Sequence, residues 1–163
     1  MTRKFPDTPD CPAPVAAFYA GSFNPFTLGH LNIVERALKI FPRVIIGVGL
    51  NPAKPSSPED VEKRLEAIRL GVAHLNGVEV IAYSDLTVRE ARRRGASVLL
   101  RGVRSTTDFD YERNLAEINR AIAPDLDTVI LTADPGYSAI SSSAVRELSS
   151  YGEDVSRFLP PVK

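Results

Sequence analysis

The chain has one cysteine, Cys11, among its 163 residues, so no disulfide can form within it. A lone thiol fits a reducing compartment, and a cytoplasmic location is the expectation. There is no excess of either charge: twenty Lys and Arg offset twenty Asp and Glu. No global field therefore favours nucleic acid or an anionic membrane, and any anion site has to be built locally. No apolar run approaches the ~18 residues of a membrane span. Internal repeats and low-complexity blocks are absent. The opening residues, 1–13, lack the apolar core of a signal peptide and are rich in proline and polar side chains. They are read as a flexible extension ahead of one domain over residues 14–163.

Several catalytic chemistries are also missing. With two histidines and one cysteine there is no ligand spacing for a metal cage. No Ser, His and Asp fall in an order that suggests a triad. Neither a Walker A loop nor G-x-G-x-x-G is present; the lone "GVG" at 47–49 carries little weight.

What is present alternates. Buried-strand runs occur at 15–20, 43–50, 78–83, 97–102 and 126–132. Between them lie helical patterns. Leu31, Val34, Leu38 and Phe41 form one stripe, and Val61, Leu65, Ile68 and Val72 a second behind a Ser57-Pro58-Glu59-Asp60 start. Residues 86–95 read as a basic helix with Asp85-Leu86 at its N-cap. Its Arg92-Arg93-Arg94 run is explained by solvent and the helix dipole, as is His74 at the preceding helix end. A Thr107-x-x-Asp110 capping pattern opens the longest helix, with Tyr111, Leu115, Ile118 and Ile122 inward. Residues 142–150 form the last. The expected fold is α/β: a Rossmann-like, doubly wound five-stranded parallel sheet with helices on both faces.

In such sheets ligands bind outside the carboxyl ends of the strands, where the strand order reverses. The polar and glycine-rich segments follow the strands: "GSFNPFTLGH", "NPAK", "RGVRSTTD" and "ADPGYSAISSS". In the first, Gly21 lets backbone approach a ligand and Gly29 leaves room at a helix N-terminus, where free N–H groups attract phosphate. His30 either faces that anion or is satisfied by local capping. Arg101 and Arg104 suit phosphate, which guanidinium forks bind two oxygens at a time. The alternative is an ion pair with Asp108, Asp110 or Glu112. The "ISSS" hydroxyls exceed the needs of one N-cap and read as a second anion cradle or a Ser-rich turn. Lys54 reads by itself as solvated.

"T-x-G-H" at 27–30, "RGVRSTTDFDYERNLAEINRAI" at 101–122 and "ISSSAVRE" at 140–147 together resemble the nucleotidylyltransferase superfamily. Within it the chain, over about 15–159, resembles the phosphopantetheine adenylyltransferase family of bacterial coenzyme A synthesis. The resemblance implies adenylyl transfer from ATP to 4'-phosphopantetheine, giving dephospho-coenzyme A and pyrophosphate, with Mg²⁺ accompanying ATP. It implies that Ser22 and Phe23 touch nucleotide and substrate, and that His30 faces the ATP phosphates. Lys54 and Arg101 would hold the acceptor phosphate, and Thr87 would lie near the pantetheine arm. Gly102, Val103, Arg104 and Glu112, with Tyr137, Ser138, Ala139, Ile140, Ser141, Ser142 and Ser143, would line the nucleotide site. It further implies a homo-oligomer, commonly a hexamer. The family's usual P-G-T-F-D-P reads Ala20-Gly21-Ser22-Phe23-Asn24-Pro25 here, losing a methyl and a charge. Related cytidylyltransferases and nicotinamide mononucleotide adenylyltransferases usually carry H-x-G-H, where this chain has Thr27. A module that binds nucleotide without turnover is the alternative from another class.

Overall fold

A computed structural model describes residues 16–51, 53 and 56–161. The extension expected at 1–13, and Lys54, lie outside the described residues. Five strands alternate with five α-helices: β1 Ala16–Gly21, α1 Leu28–Ala37, β2 Arg43–Gly49, α2 Pro58–Gly71, β3 Val78–Tyr83, α3 Thr87–Arg93, β4 Ala96–Val103, α4 Thr106–Ile122, β5 Asp127–Thr132 and α5 Ser142–Ser150. A short 3₁₀ turn, Pro135–Tyr137, lies between β5 and α5.

All the strand pairs are parallel, in the order β3-β2-β1-β4-β5. The chain winds outward from β1 through β2 to β3, then returns to the far side of β1 with β4. The strand order therefore reverses between β1 and β4, and a crevice opens at their carboxyl ends.

The central strands are apolar on both faces because helices cover both. On one face Tyr19, Val44, Ile46, Val48 and Leu100 pack with Leu31 and Val34 of α1 and with Leu65 and Ile68 of α2. On the other, Phe18, Ile45 and Leu99 pack with Val88 and Ala91 of α3 and with Ala123 and Leu126 after α4. Each large side chain so buried contributes roughly 1.5–3 kcal/mol. Ser57 caps α2, its hydroxyl accepting from the Asp60 amide at 3.1 Å.

Five local readings are corrected. The cap of α4 is Ser105, whose hydroxyl accepts from the Asp108 amide at 3.1 Å, so the helix starts ahead of Thr107. The stripe on α4 does not face inward: Tyr111, Ile118 and Ile122 are 65%, 57% and 48% exposed, and Glu112 is the helix's buried residue. Periodicity marks an apolar face but not what covers it, and here the sheet side of the helix is held by Glu112 instead. Asp85 stands one residue before the N-cap, Leu86, and accepts from that residue's amide at 2.7 Å. The Arg92–Arg94 run is paired rather than simply solvated. Arg92 bonds Asp125, Arg93 bonds Asp85, and Arg94 reaches both Glu79 and the buried Glu90. His74 likewise lies 3.4 Å from Glu35.

Candidate active site

At the reversal point lies a cavity of about 260 Å³. The end of β1 supplies Tyr19 through Phe23, the start of α1 supplies Thr27, Gly29 and His30, and the end of β4 supplies Arg101 through Arg104. Ile33, Glu112, Ala133 and Ile140 through Ser143 complete the wall. The N-termini of α1 and α5 both open on this space. Among the described residues the amides of Ser142 and Ser143 have no acceptor, since the Ser141 hydroxyl takes the Ala144 amide at 3.0 Å. Two helix ends aimed at one cavity favour an anion.

The first loop bends sharply to reach this position. Phe23 has φ 44°, unusual for an aromatic residue, and turns its ring inward until it is 2% exposed. Gly21 makes that possible, because a Cβ there would lie 2.9 Å from the Phe23 ring. Gly21 thus serves this ring packing and also lines the cavity. At Gly29 a Cβ would meet only ordinary contacts, the nearest being the Ile140 carbonyl at 3.5 Å. The loop is braced from outside by Arg64, which donates to the Ser22 carbonyl at 3.2 Å, and by Arg146, which donates to the Asn24 carbonyl. The Ser142 hydroxyl donates to the Pro25 carbonyl at 2.8 Å.

Of the two readings the sequence leaves open for His30, the local cap is the one observed, and the ring also lines the cavity. Its Nδ1 accepts from the Thr27 amide at 3.0 Å, a local cap. That bond places the ring proton of the neutral imidazole on Nε2, which has no partner among the described residues. The ring stacks on Phe26 at 5.5 Å and meets the edge of Phe23 at 5.1 Å. Burial in these rings, and then the charge of Arg104, push its pKa down to about 4. At neutral pH His30 is therefore an uncharged N–H donor.

Arg101 stands in the opposite wall. Glu112 grips it with two bonds of 2.6 Å, to Nε and to one terminal nitrogen, while the other donates to the Ala20 carbonyl at 2.7 Å. Burial opposes the charge of Arg101, but the Glu112 carboxylate outweighs it and leaves the pKa above its ordinary value. Of five N–H groups three are used, and two remain. Arg104 is more exposed; its Nε and amide both bond Asp108 at 3.1 Å. The ion pairs read from sequence as the alternative thus exist, and both arginines line the cavity as well.

His30 and Arg101, far apart in the chain, share one cavity. Ser22, Phe23, Gly102, Val103, Arg104, Glu112, Ile140, Ser141, Ser142 and Ser143 line it too. Tyr137, Ser138 and Ala139 do not; they form the turn beside it, the Tyr137 carbonyl lying near Gly29. Thr87 also stands apart, with its hydroxyl 2.8 Å from that of Tyr83. Sequence reasoning missed Tyr19, Ala20, Thr27, Ile33 and Ala133 as cavity residues. Tyr19 and Thr27 could have been found, since both are polar-tipped and sit two residues before Gly21 and Gly29. Among the described residues no three His, Cys, Asp or Glu side chains cluster to hold a metal ion. No helix among them is long and apolar enough to cross a membrane.

Comparison with known proteins agrees with this architecture. The cytidylyltransferase-like family model matches residues 18–148. The fold and the rim define the chain as a nucleotidyltransferase of that family. Phosphopantetheine adenylyltransferases from two strains of Porphyromonas gingivalis are each 52% identical to it over 144 residues, covering 88% of this chain and 93% of theirs. The chain is a member of the phosphopantetheine adenylyltransferase family. Among solved structures, a bifunctional NMN adenylyltransferase/ADP ribose pyrophosphatase from Francisella tularensis superposes with TM-score 0.67 at 17% identity, covering 92% of this chain and 46% of its own. The same enzyme complexed with AMP and a manganese ion gives 0.64 at 16%, covering 92% and 45%. This chain spans about half the length of those enzymes, and the likeness is one of fold.

Proposed function

We propose that the protein transfers the adenylyl group of ATP to 4'-phosphopantetheine, forming dephospho-coenzyme A and pyrophosphate in coenzyme A synthesis. The observation that carries this reading is the cavity itself. Two arginines, a neutral histidine and two helix N-termini converge there, and its one carboxylate, Glu112, is already engaged. Such a site suits two phosphate groups that repel each other. The family relatives supply the identity of the acceptor.

A phosphate oxygen of 4'-phosphopantetheine attacks the α-phosphorus of ATP in line. One P–O bond forms, the bond from the α-phosphorus to the bridging oxygen breaks, and pyrophosphate leaves. The nucleophile is anionic near neutral pH, since a phosphomonoester's second pKa is about 6. No general base is needed, and no intermediate forms on the protein. The catalytic task is placement and charge neutralisation: positioning supplies roughly 7–11 kcal/mol, and one well-aimed donor ~10²–10³ in rate.

The Nε2–H of His30, with Ser22, faces the α-phosphate. Arg101 and Lys54 hold the attacking phosphate. Arg104 and the amides of Ser142 and Ser143 receive the departing phosphates. Phe23, Gly102, Val103, Glu112 and the segment from Tyr137 to Ser141 shape the nucleotide's surroundings, and Thr87 lies along the path of the pantetheine arm. Mg²⁺ enters as part of the ATP substrate, carried by phosphate oxygens and water; the groups facing the cavity are mostly N–H donors, which suit phosphate. The exposed stripe of α4 supports assembly into a homo-oligomer, a hexamer by resemblance, in the cytoplasm. No nucleic-acid or membrane partner is part of this reading.

The test is pyrophosphate release from ATP with 4'-phosphopantetheine, run beside nicotinamide mononucleotide, and from CTP with glycerol phosphate. Turnover with the first acceptor alone is expected. ATP binding without release for any acceptor would make the protein a nucleotide-binding module instead.

A further inference from the structure

Tyr19 is a buried tyrosine whose hydroxyl is unaccounted for. The residue is 5% exposed. Its ring is wedged by Phe23, edge-on at 5.1 Å, and lies 6.4 Å from the His30 ring. Yet its oxygen has no hydrogen-bond partner among the described residues. A buried tyrosine hydroxyl ordinarily finds one. Nor is this oxygen sealed away, because no buried side-chain polar atom among the described residues lacks both a partner and access to open space. Tyr19 lines the cavity, and the cavity is where its hydroxyl remains accessible.

The surrounding chain makes room for that oxygen. It lies beside the β4 backbone at Gly102, where a Cβ would come within 3.4 Å of it and within 2.9 Å of Ile33. Gly102 follows Arg101, so the hydroxyl sits next to the strand end that delivers the guanidinium. Burial holds the phenol pKa above its ordinary value, against the pull of the nearby Arg101 charge. The group therefore stays a protonated donor throughout the physiological range.

We infer that Tyr19 is a further catalytic residue, its hydroxyl donating a hydrogen bond to the phosphate oxygen that comes to rest between Arg101 and His30. This rests on the adenylyl-transfer reading and adds a neutral donor beside the end of β4. An O–H donor suits this position because it can orient a phosphate oxygen without adding charge beside Arg101 and Arg104. A second arginine or lysine here would have to be buried among Phe23, Ile33 and His30 at a large desolvation cost.

Tyr19→Phe keeps the ring and removes only the oxygen. A hydrogen bond to a charged partner is typically worth about 10–100-fold, so kcat/KM for pyrophosphate release is expected to fall by about that factor with the melting temperature preserved. A kcat/KM within about twofold of the unaltered protein would overturn the assignment, leaving the hydroxyl a partner of water alone. A second measurement does not depend on how the variant folds. In the unaltered protein labelled at tyrosine Cζ, the Tyr19 resonance is expected to move on addition of ATP or of dephospho-coenzyme A, and not with adenosine. No movement with either phosphate ligand, or equal movement with adenosine, would also overturn it. Failure of the adenylyl-transfer reading itself would show separately, as an absence of pyrophosphate release by the unaltered protein.

Discussion

Helices α1 and α4 stand behind opposite walls of the same cavity, and they are held in place in different ways. α1 is anchored by apolar burial: Leu31, Ile33, Val34 and Ala37 are each 6% exposed or less. That seat carries His30 into an aromatic enclosure where the imidazole is kept neutral. α4 turns its apolar residues to solvent and reaches inward with Glu112, which grips Arg101 bidentately. One wall thus presents an uncharged donor on a rigid support, and the other a cation whose orientation depends on an ion pair. Non-directional packing can fix a helix, but fixing a guanidinium plane needs directional bonds. The difference suits a site that must stabilise charge at one phosphate while accommodating the arrival of another.

The largest effect is expected on the α1 wall. His30→Ala removes the donor together with the ring's contacts to Phe23 and Phe26, but α1 stays seated through Leu31, Ile33, Val34 and Ala37, so the protein is expected to fold while kcat falls by about 10²–10³. Steady-state pyrophosphate release measures this, and a near-normal rate would remove His30 from the chemistry. On the α4 wall the order of effects inverts. Glu112→Ala leaves Arg101 half-buried without its counter-ion, at a cost of about 3 kcal/mol. The same change also frees the guanidinium to swing. Chemical denaturation is expected to show that loss. KM for 4'-phosphopantetheine is expected to rise more than KM for ATP, and an equal rise in both would contradict the division of the cavity drawn above.

Acid separates the two walls further. The imidazole of His30 has a pKa of about 4 in the folded protein, against 6.5 as the ordinary value. Between those values the unfolded chain binds the proton and the folded one does not. Stability is therefore lost as pH falls from about 6.5 towards 4, by up to ~3 kcal/mol, and His30 has no effect on it above that range. Denaturant midpoints at pH 7 and pH 4.5 are expected to differ more for the unaltered protein than for His30→Asn. Equal differences would mean that the imidazole is not held neutral by its enclosure.

Much of this contrast was legible in the residues and part was not. The alternation of strands, the positions of the loops and the shared rim follow from apolar runs that end at glycine or polar segments, as at Gly21 and after Val103. These are short-range signals. His30 was visible from its place after Gly29, but its neutrality was not, because Phe23 and Phe26 reach it only through a sharp loop with a positive φ at Phe23. Arg101 and Glu112 were both noticed, and their union was one of three pairings that the spacing allowed. Tyr19 is not legible because it stands inside an apolar strand, where an aromatic residue looks like core. The orientation of α4 was misread for the opposite reason: its stripe has the right period, but period alone does not say whether the covering layer belongs to the same chain.

That stripe supplies the smallest expected effect on the folded chain and the clearest test of how α4 is seated. Ile118 is 57% exposed and belongs to the outer face, so Ile118→Asp removes little buried area within one chain. For the isolated chain at high dilution, stability is expected to change by no more than about 0.5 kcal/mol. The cavity, reached through Glu112 on the inner face, is expected to remain intact in ATP binding. Sedimentation at micromolar concentration, however, is expected to show a smaller particle than the unaltered protein, because the charge falls in the apolar surface that the proposed homo-oligomer would bury. Should Ile118→Asp instead unfold the dilute chain, α4 would be seated by its apolar face after all, and the contrast with α1 would be lost. An unchanged particle size would mean that the stripe is surface only.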